Sequence, residues 1–187
     1  VLSPLHRELY IARTFAEAPD ISACLAKFGL PKDGPRIWGL ADVEIDSTFY
    51  QPVPFPLGIP ALIAAAYEGS MESGLGIVDL VAISLRGRHA MRTRRGAATF
   101  LGGDNVEMAI DEDWPLFLYE NGFSWIRNRC RGAVVLDWRR APHRLTHVRA
   151  ISCETPALAQ RLRLIFERPL PLPDLFVQPT EETSRAA

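Results

Sequence analysis

Apolar positions recur along this chain at two different spacings, and the change from one to the other lays out its elements. Ser3-Pro4 supplies a hydroxyl cap and a first-turn proline. Leu5, Leu9, Ala12, Phe15 and Ala16 then follow at helical spacing. A second short helix is expected from Asp20, with Ile21, Cys24, Leu25 and Phe28 as its stripe and Gly29 with Pro31 as its stop. From Ile37 to Ile45 the period becomes two: Gly39, Ala41, Val43 and Ile45 face one way, Asp42 and Glu44 the other, as in a half-exposed strand. Prolines at 52, 54, 56 and 60 make Phe49 to Pro60 a stiff extended connection. Ala61 to Glu68 is alanine-rich, which favours helix. The Gly69 to Gly76 loop between it and the clear strand Ile77 to Leu85 favours a hairpin, so a strand is expected there. Ala97 to Leu101 and Val106 to Ile110 are weaker strands.

The second half alternates between the two periods. Leu116 to Tyr119 is a strand, and Phe123 to Cys130 carries Phe123, Ile126 and Cys130 at helical spacing. Ala133 to Leu136 is continuously apolar, as buried parallel strands are. The segment from Asn121 to Gly132 suffices for a right-handed crossover between them. The competing reading is one long helix from Asp113 to Arg129. His147 to Cys153 is a further strand. Thr155-Pro156 caps a helix with Leu158, Leu162, Ile165 and Phe166 inside and Arg161, Arg163 and Arg168 outside, ended by Pro169. The fold class expected is therefore α/β, with an α+β N-terminal half built on a β-hairpin and a βαβ-like C-terminal half. One globular domain spans 1–168, divisible into helices plus a β-meander over 1–110 and a βαβ unit over 111–168. Residues 169–187 form a Pro-rich tail, too polar towards its end to fold alone.

Composition changes this picture in one respect. The chain has 187 residues and a net charge of −1, so no global field draws it to nucleic acid or an acidic membrane. Yet of 21 basic residues only Lys27 and Lys32 are lysine. Twelve arginines lie between Arg86 and Arg149, against seven acids. They come in bursts: Arg86, Arg88, Arg92, Arg94 and Arg95; Arg127, Arg129 and Arg131; then Arg139, Arg140, Arg144 and Arg149. Guanidinium groups stay charged and grip phosphate in a bidentate fork. With Trp138 beside the third burst as an exposed stacking surface, and Trp125 assigned to the core, Arg86, Arg88, Arg92, Arg94, Arg95, Arg127, Arg129, Arg131, Trp138, Arg139 and Arg140 are the candidate nucleic-acid contacts. Cys24, Cys130 and Cys153 are odd in number and dispersed, which fits a reducing cytoplasm. No signal-peptide pattern is visible. The longest apolar run, Gly76 to Leu85, is interrupted by Asp79 and falls short of the ~20 residues a membrane helix needs.

Several chemistries lack their residues. There is no P-loop and no H-E-x-x-H. Gly74-Leu-Gly76 precedes a strand instead of following one, and Gly122-Phe-Ser124-Trp-Ile126 has isoleucine where a nucleophile elbow needs glycine. His143 and His147 stand four apart and would share a helix face as metal ligands. Pro142 and Thr146 instead suggest a loop entering a strand. Glu120, Asp137 and Glu154 each end a strand, where α/β proteins gather ligands. They are the candidate catalytic carboxylates, oxygen ligands of the kind Mg2+ takes, or else turn and cap residues. Asp79 sits mid-strand with Ile77, Val81 and Ile83. Buried there, it needs a partner, an arginine before any other, unless it lies on an exposed edge.

Two stretches carry a family resemblance. Pro60 to Ala66, Ile77 to Ile83 and Arg94 to Gly103 resemble the β-rich segment before the toprim region of phage and plasmid primases. Leu116-Phe-Leu-Tyr-Glu120-Asn-Gly122 followed by Ala133-Val-Val-Leu-Asp137 is similar to toprim itself, an apolar strand ending in Glu-Gly and a later strand ending in acids. The resemblance spans residues 60 to 165. It implies magnesium-dependent nucleotidyl transfer, but this chain departs from it. Asn121 separates Glu120 from Gly122, and Arg139 stands where a second acid belongs, which places a cation beside Asp137. The resemblance thus implies a relative that has lost the reaction.

The function expected is a non-catalytic accessory protein of phage or mobile-element type, without a cofactor, whose arginine-rich middle contacts nucleic acid or a nucleic-acid-processing protein. The alternatives are a divalent-metal enzyme using Glu120, Asp137 and Glu154 or His147, and an assembly component that docks through the Pro-rich tail.

Overall fold

A computed structural model describes residues 3–19, 21, 25–26, 28–30, 37–68, 76–87 and 90–167. The Pro-rich tail, Arg88, His89 and Cys24 lie outside the described residues. So does most of the second expected helix, of which Leu25 is buried.

Helix α1 (Pro4–Ala16) starts as its sequence dictates, the Ser3 hydroxyl accepting from the His6 N–H. Leu5, Leu9 and Ala12 are buried against an antiparallel sheet of β1 (Trp38–Ile45), β2 (Tyr50–Val53), β3 (Ile59–Glu68), β4 (Gly76–Ser84) and β5 (Met91–Thr93), in the order β2-β1-β3-β4-β5. The helix rests directly on β1. A Cβ at Gly39 would fall 2.3 Å from the Ala12 carbonyl carbon, so only glycine admits this approach. In β3, Ala61, Ile63 and Ala65 join the core under α1, while Leu62, Ala64 and Ala66 face the other way into a second core. Covered on both faces, the segment needs an unbroken apolar run, which is why it imitates a helix in sequence.

That second core lies between the first sheet and the C-terminal half. Here β6 (Phe100–Leu101), α2 (Gly103–Asp111), β7 (Leu116–Tyr119), α3 (Gly122–Arg127), β8 (Ala133–Val135), α4 (Ala141–Leu145), β9 (Ile151–Cys153) and α5 (Pro156–Phe166) follow in turn. The sheet order is β6-β8-β7-β9, with β7 parallel to β8 and to β9, and β6 antiparallel to β8. From α3, Phe123, Trp125 and Ile126 pack on the first sheet. Leu116, Leu118, Ala133 and Val135 meet α2, α4 and α5 on the opposite side. The class is α/β as expected, with the βαβ unit realised by β7, α3 and β8.

Several local expectations change. Val106 to Ile110 lies in α2, not a strand. Val106 and Ala109 are the buried positions, three apart, with Asp104 in the first turn. The single helix from Asp113 to Arg129 does not form; β7 occupies its middle. Pro142, taken as a helix breaker, sits in the first turn of α4, where its missing N–H costs nothing. Asp42 is buried, because it accepts from the Gly58 N–H across the turn that follows β2. The Phe49 to Pro60 connection contains β2, with Pro52 on the edge of the sheet where no ladder donor is needed. Phe166 is exposed at the end of α5. Since β6 and α2 belong to the second sheet and its helices, that layer begins before residue 110.

Candidate functional site

The junction of the two sheets is the loop from Arg94 to Thr99, and a buried carboxylate organises it. Asp79 has no exposed surface. It accepts from the backbone N–H groups of Leu80 (2.8 Å), Arg94 (3.1 Å), Arg95 (3.0 Å) and Ala97 (2.8 Å). The expected guanidinium partner is replaced by main-chain donors, which neutralise the charge as a nest does. A bulge at Val78, where the register slips between Ala66 and Tyr67, lies immediately before it.

From the other side the same loop is held by Arg140. Its guanidinium donates to the carbonyls of Ala97 (2.9 Å), Gly96 (3.1 Å) and Ala98 (3.3 Å), and its Nε to Asp137 (2.7 Å). The other Asp137 oxygen accepts from the Arg139 N–H at 2.8 Å. Partial burial opposes ionisation of Asp137, but these hydrogen bonds and the Arg140 charge outweigh it and hold the carboxyl below its ordinary range.

Two clefts open beside this junction, at the carboxyl ends of the parallel strands. One, of about 540 Å³, is lined by Ser47, Thr48 and Phe49, by Arg92 and Gly96, and by Asp137 and Arg140. The other, of about 430 Å³, is bounded by Tyr119, Glu120, Trp138, Leu158 and Arg161. Met91 and Val135 line both, so the clefts adjoin. In the first, Arg92 is half-buried; one terminal nitrogen donates to the Met91 carbonyl at 2.8 Å, and its buried Nε has no partner. In the second, the Arg161 guanidinium lies 4.0 Å over the Trp138 ring.

The arginine bursts do not share one face. Arg127 ends α3, and Arg129 and Arg131 lie between it and β8, towards the amino ends of the parallel strands. Trp138, Arg139 and Arg140 follow β8, at the carboxyl ends. Within the first burst, Arg94 is spent on Glu8 at 3.1 Å and on the Tyr50 ring, while Arg86 and Arg95 are exposed. Arg144 pairs with Glu107 and Arg149 with Asp113. Arg127 lies over the Phe123 ring. Among the described arginines, Arg92 and Arg140 line the first cleft and Arg161 the second, while the exposed Arg95 and Arg139 lie in sequence between lining residues. Of these Arg161 was missed, since its helical position suggested only a solvated face. Trp125 is in the core, its indole N–H bonded to the Gly132 carbonyl at 2.9 Å.

Glu120 and Glu154 do come together. The Glu120 N–H donates to Glu154 at 2.9 Å, and the Thr155 hydroxyl donates to the Glu120 carboxylate. Asp137 makes its hydrogen bonds to Arg139 and Arg140 instead. A magnesium site on Asp137 does not fit this arrangement: both Asp137 oxygens accept hydrogen bonds, one of them from the Arg140 guanidinium. Among the described residues no three His, Cys, Asp or Glu side chains gather as metal ligands, and His143 and His147 are exposed on α4 and just past its end. No helix of the described residues is long and apolar enough to cross a membrane.

Comparison with models of known protein families, with curated proteins and with solved structures gave no match.

Proposed function

We propose that the protein binds nucleic acid as a non-catalytic accessory component of phage or mobile-element type, holding phosphates at the junction cleft through Arg92, Arg95 and Arg139. The supporting observation is the state of Arg92. A half-buried guanidinium lines the cleft with one terminal nitrogen on the Met91 carbonyl, and the other terminal nitrogen is the donor an anion in the cleft would engage. Ser47, Thr48 and Thr93 line the same cleft, and their hydroxyls are further donors for phosphate oxygens. Arg94 and Arg140, already satisfied, serve the scaffold and not the ligand. Arg127, Arg129 and Arg131, on the opposite edge, lie off the cleft.

Fluorescence anisotropy of a labelled oligonucleotide at 50 mM and 200 mM salt tests this reading. Binding should weaken steeply with salt, and the triple variant Arg92→Ala, Arg95→Ala, Arg139→Ala should weaken it and flatten the slope. The triple variant Arg127→Ala, Arg129→Ala, Arg131→Ala should bind like the parent. No binding by the parent at low salt removes the proposal.

A further inference from the structure

The second cleft carries the argument one step further, on the reading that the first takes phosphate. Its walls are of a different kind. The Arg161 guanidinium lies 4.0 Å over the ring of the half-buried Trp138, Leu158 and Val135 are apolar, and Glu120 is an exposed carboxylate. Planar aromatic and guanidinium surfaces are what an unstacked nucleobase lies against. A carboxylate cannot donate, so it selects a ring edge that presents N–H groups. The cleft adjoins the Arg92 cleft through Met91 and Val135, as a base adjoins its own phosphate. We infer that the paired clefts seat one nucleotide of a single strand, with the base against Trp138 and Arg161 and the phosphate at Arg92, and that Glu120 makes the base pocket selective for guanine.

The selectivity follows from donor geometry. Guanine alone among the common bases offers two adjacent N–H donors, N1 and N2, on its Watson–Crick edge, and a carboxylate accepts both. Adenine and cytosine place an acceptor nitrogen beside their amino group, which would face a carboxylate oxygen. The single N–H of thymine or uracil lies between two carbonyls. One Glu120 oxygen accepts from the Thr155 hydroxyl, which fixes the carboxylate while leaving lone pairs on both oxygens. The Glu154 carboxylate is turned to the Glu120 N–H. Glu120 is therefore the group placed to read the base.

The test uses the full chain and oligothymidylate 11-mers carrying guanine, adenine or an abasic site at the centre, with oligouridylate counterparts to tell DNA from RNA. The guanine probe should bind roughly tenfold tighter than the adenine probe. Glu120→Gln should erase that difference. Trp138→Ala should lower affinity for the guanine probe roughly tenfold while leaving the abasic probe unchanged. If Trp138→Ala does not fold by circular dichroism, Arg161→Gln reads the same wall from an exposed residue. Salt-dependent binding that ignores base identity and all these variants overturns the base pocket and leaves the phosphate cleft standing. Absence of any binding at low salt overturns both.

Discussion

Asp79 and Arg140 grip one loop from opposite sides. The carboxylate, rising from the first sheet, takes the N–H groups of Arg94, Arg95 and Ala97, and the guanidinium, from the second, takes the carbonyls of Gly96, Ala97 and Ala98. The cleft wall at Arg92 and Gly96 is therefore set by a buried carboxylate on one side and by Arg140, itself part of the cleft lining, on the other. Replacing Asp79 with Ala leaves buried donors unsatisfied and should cost about 2–4 kcal/mol. Asp79→Asn should lose nearly as much, because its amino group would confront a backbone donor. Arg140→Ala, at a more exposed position, should cost about 1–2 kcal/mol. Urea unfolding measures all three. Because the two residues hold the same loop, the double variant should lose less than the sum of the single losses.

The acidic residues respond to pH in opposite senses. Burial, only partly offset by the backbone N–H groups of Asp104 and Asn105, raises the Asp104 carboxyl above its ordinary value. A raised carboxyl favours the folded state when protonated and penalises it once ionised, so the penalty grows as pH rises through the folded value. Asp104→Asn should therefore raise Tm by a few degrees at pH 7 and leave it unchanged near pH 3. Asp137 is depressed, so its contribution is present above about pH 4 and disappears as pH falls through its lower folded value. In Asp137→Asn, acid unfolding below pH 4 should be less steep. Thermal melts across pH 2.5–8 separate the two.

The approach of α1 to β1 admits no side chain at position 39. A Cβ there would lie 2.3 Å from the Ala12 carbonyl carbon and 2.4 Å from the Arg13 nitrogen, both backbone atoms that cannot swing aside. Gly39→Ala should cost about 3 kcal/mol or more, through displacement of the helix. Chemical denaturation gives the magnitude, and hydrogen exchange should show the loss first in α1.

The thiol of Cys130 is buried, and burial with the nearby Asp104 charge pushes its pKa up to about 12. It should resist thiol-specific labelling at pH 8 under native conditions and react fully in denaturant. Peptide mapping after labelling identifies the site.

The sequence showed its elements most clearly where one face is wet. The stripe of α1 and the capped helix from Thr155-Pro156 are legible because apolar spacing there reflects a single buried side. It was least clear where both faces are covered or where a boundary residue has two uses. Ala61 to Glu68 read as either helix or strand, and only the hairpin logic decided it. Val106 and Ala109 are three apart, but with the β-branched Val106 at the head of a short apolar stretch they imitated a strand. Pro142 reads as a stop unless its place at a helix start is known. At the site, Glu120, Asp137 and Glu154 were placed at strand ends by pattern alone. No pattern could show that Arg140 would turn to three carbonyls, or that Asp79 would be satisfied by amides of a loop fifteen residues and more downstream. Such partners are set by three-dimensional closure and leave no periodic trace.

The chain passes from one layer to the other before Phe100, so β6 is an antiparallel edge contributed to the parallel strands from their upstream side. Genetic exchange that moved the C-terminal layer into another protein could not begin at the first parallel strand. It would have to carry everything from about Ala97 onward, and the sheet left behind would lose the Ala97 N–H that Asp79 accepts. The two layers are thus bound to travel together through recombination, a constraint written into a strand of only two residues.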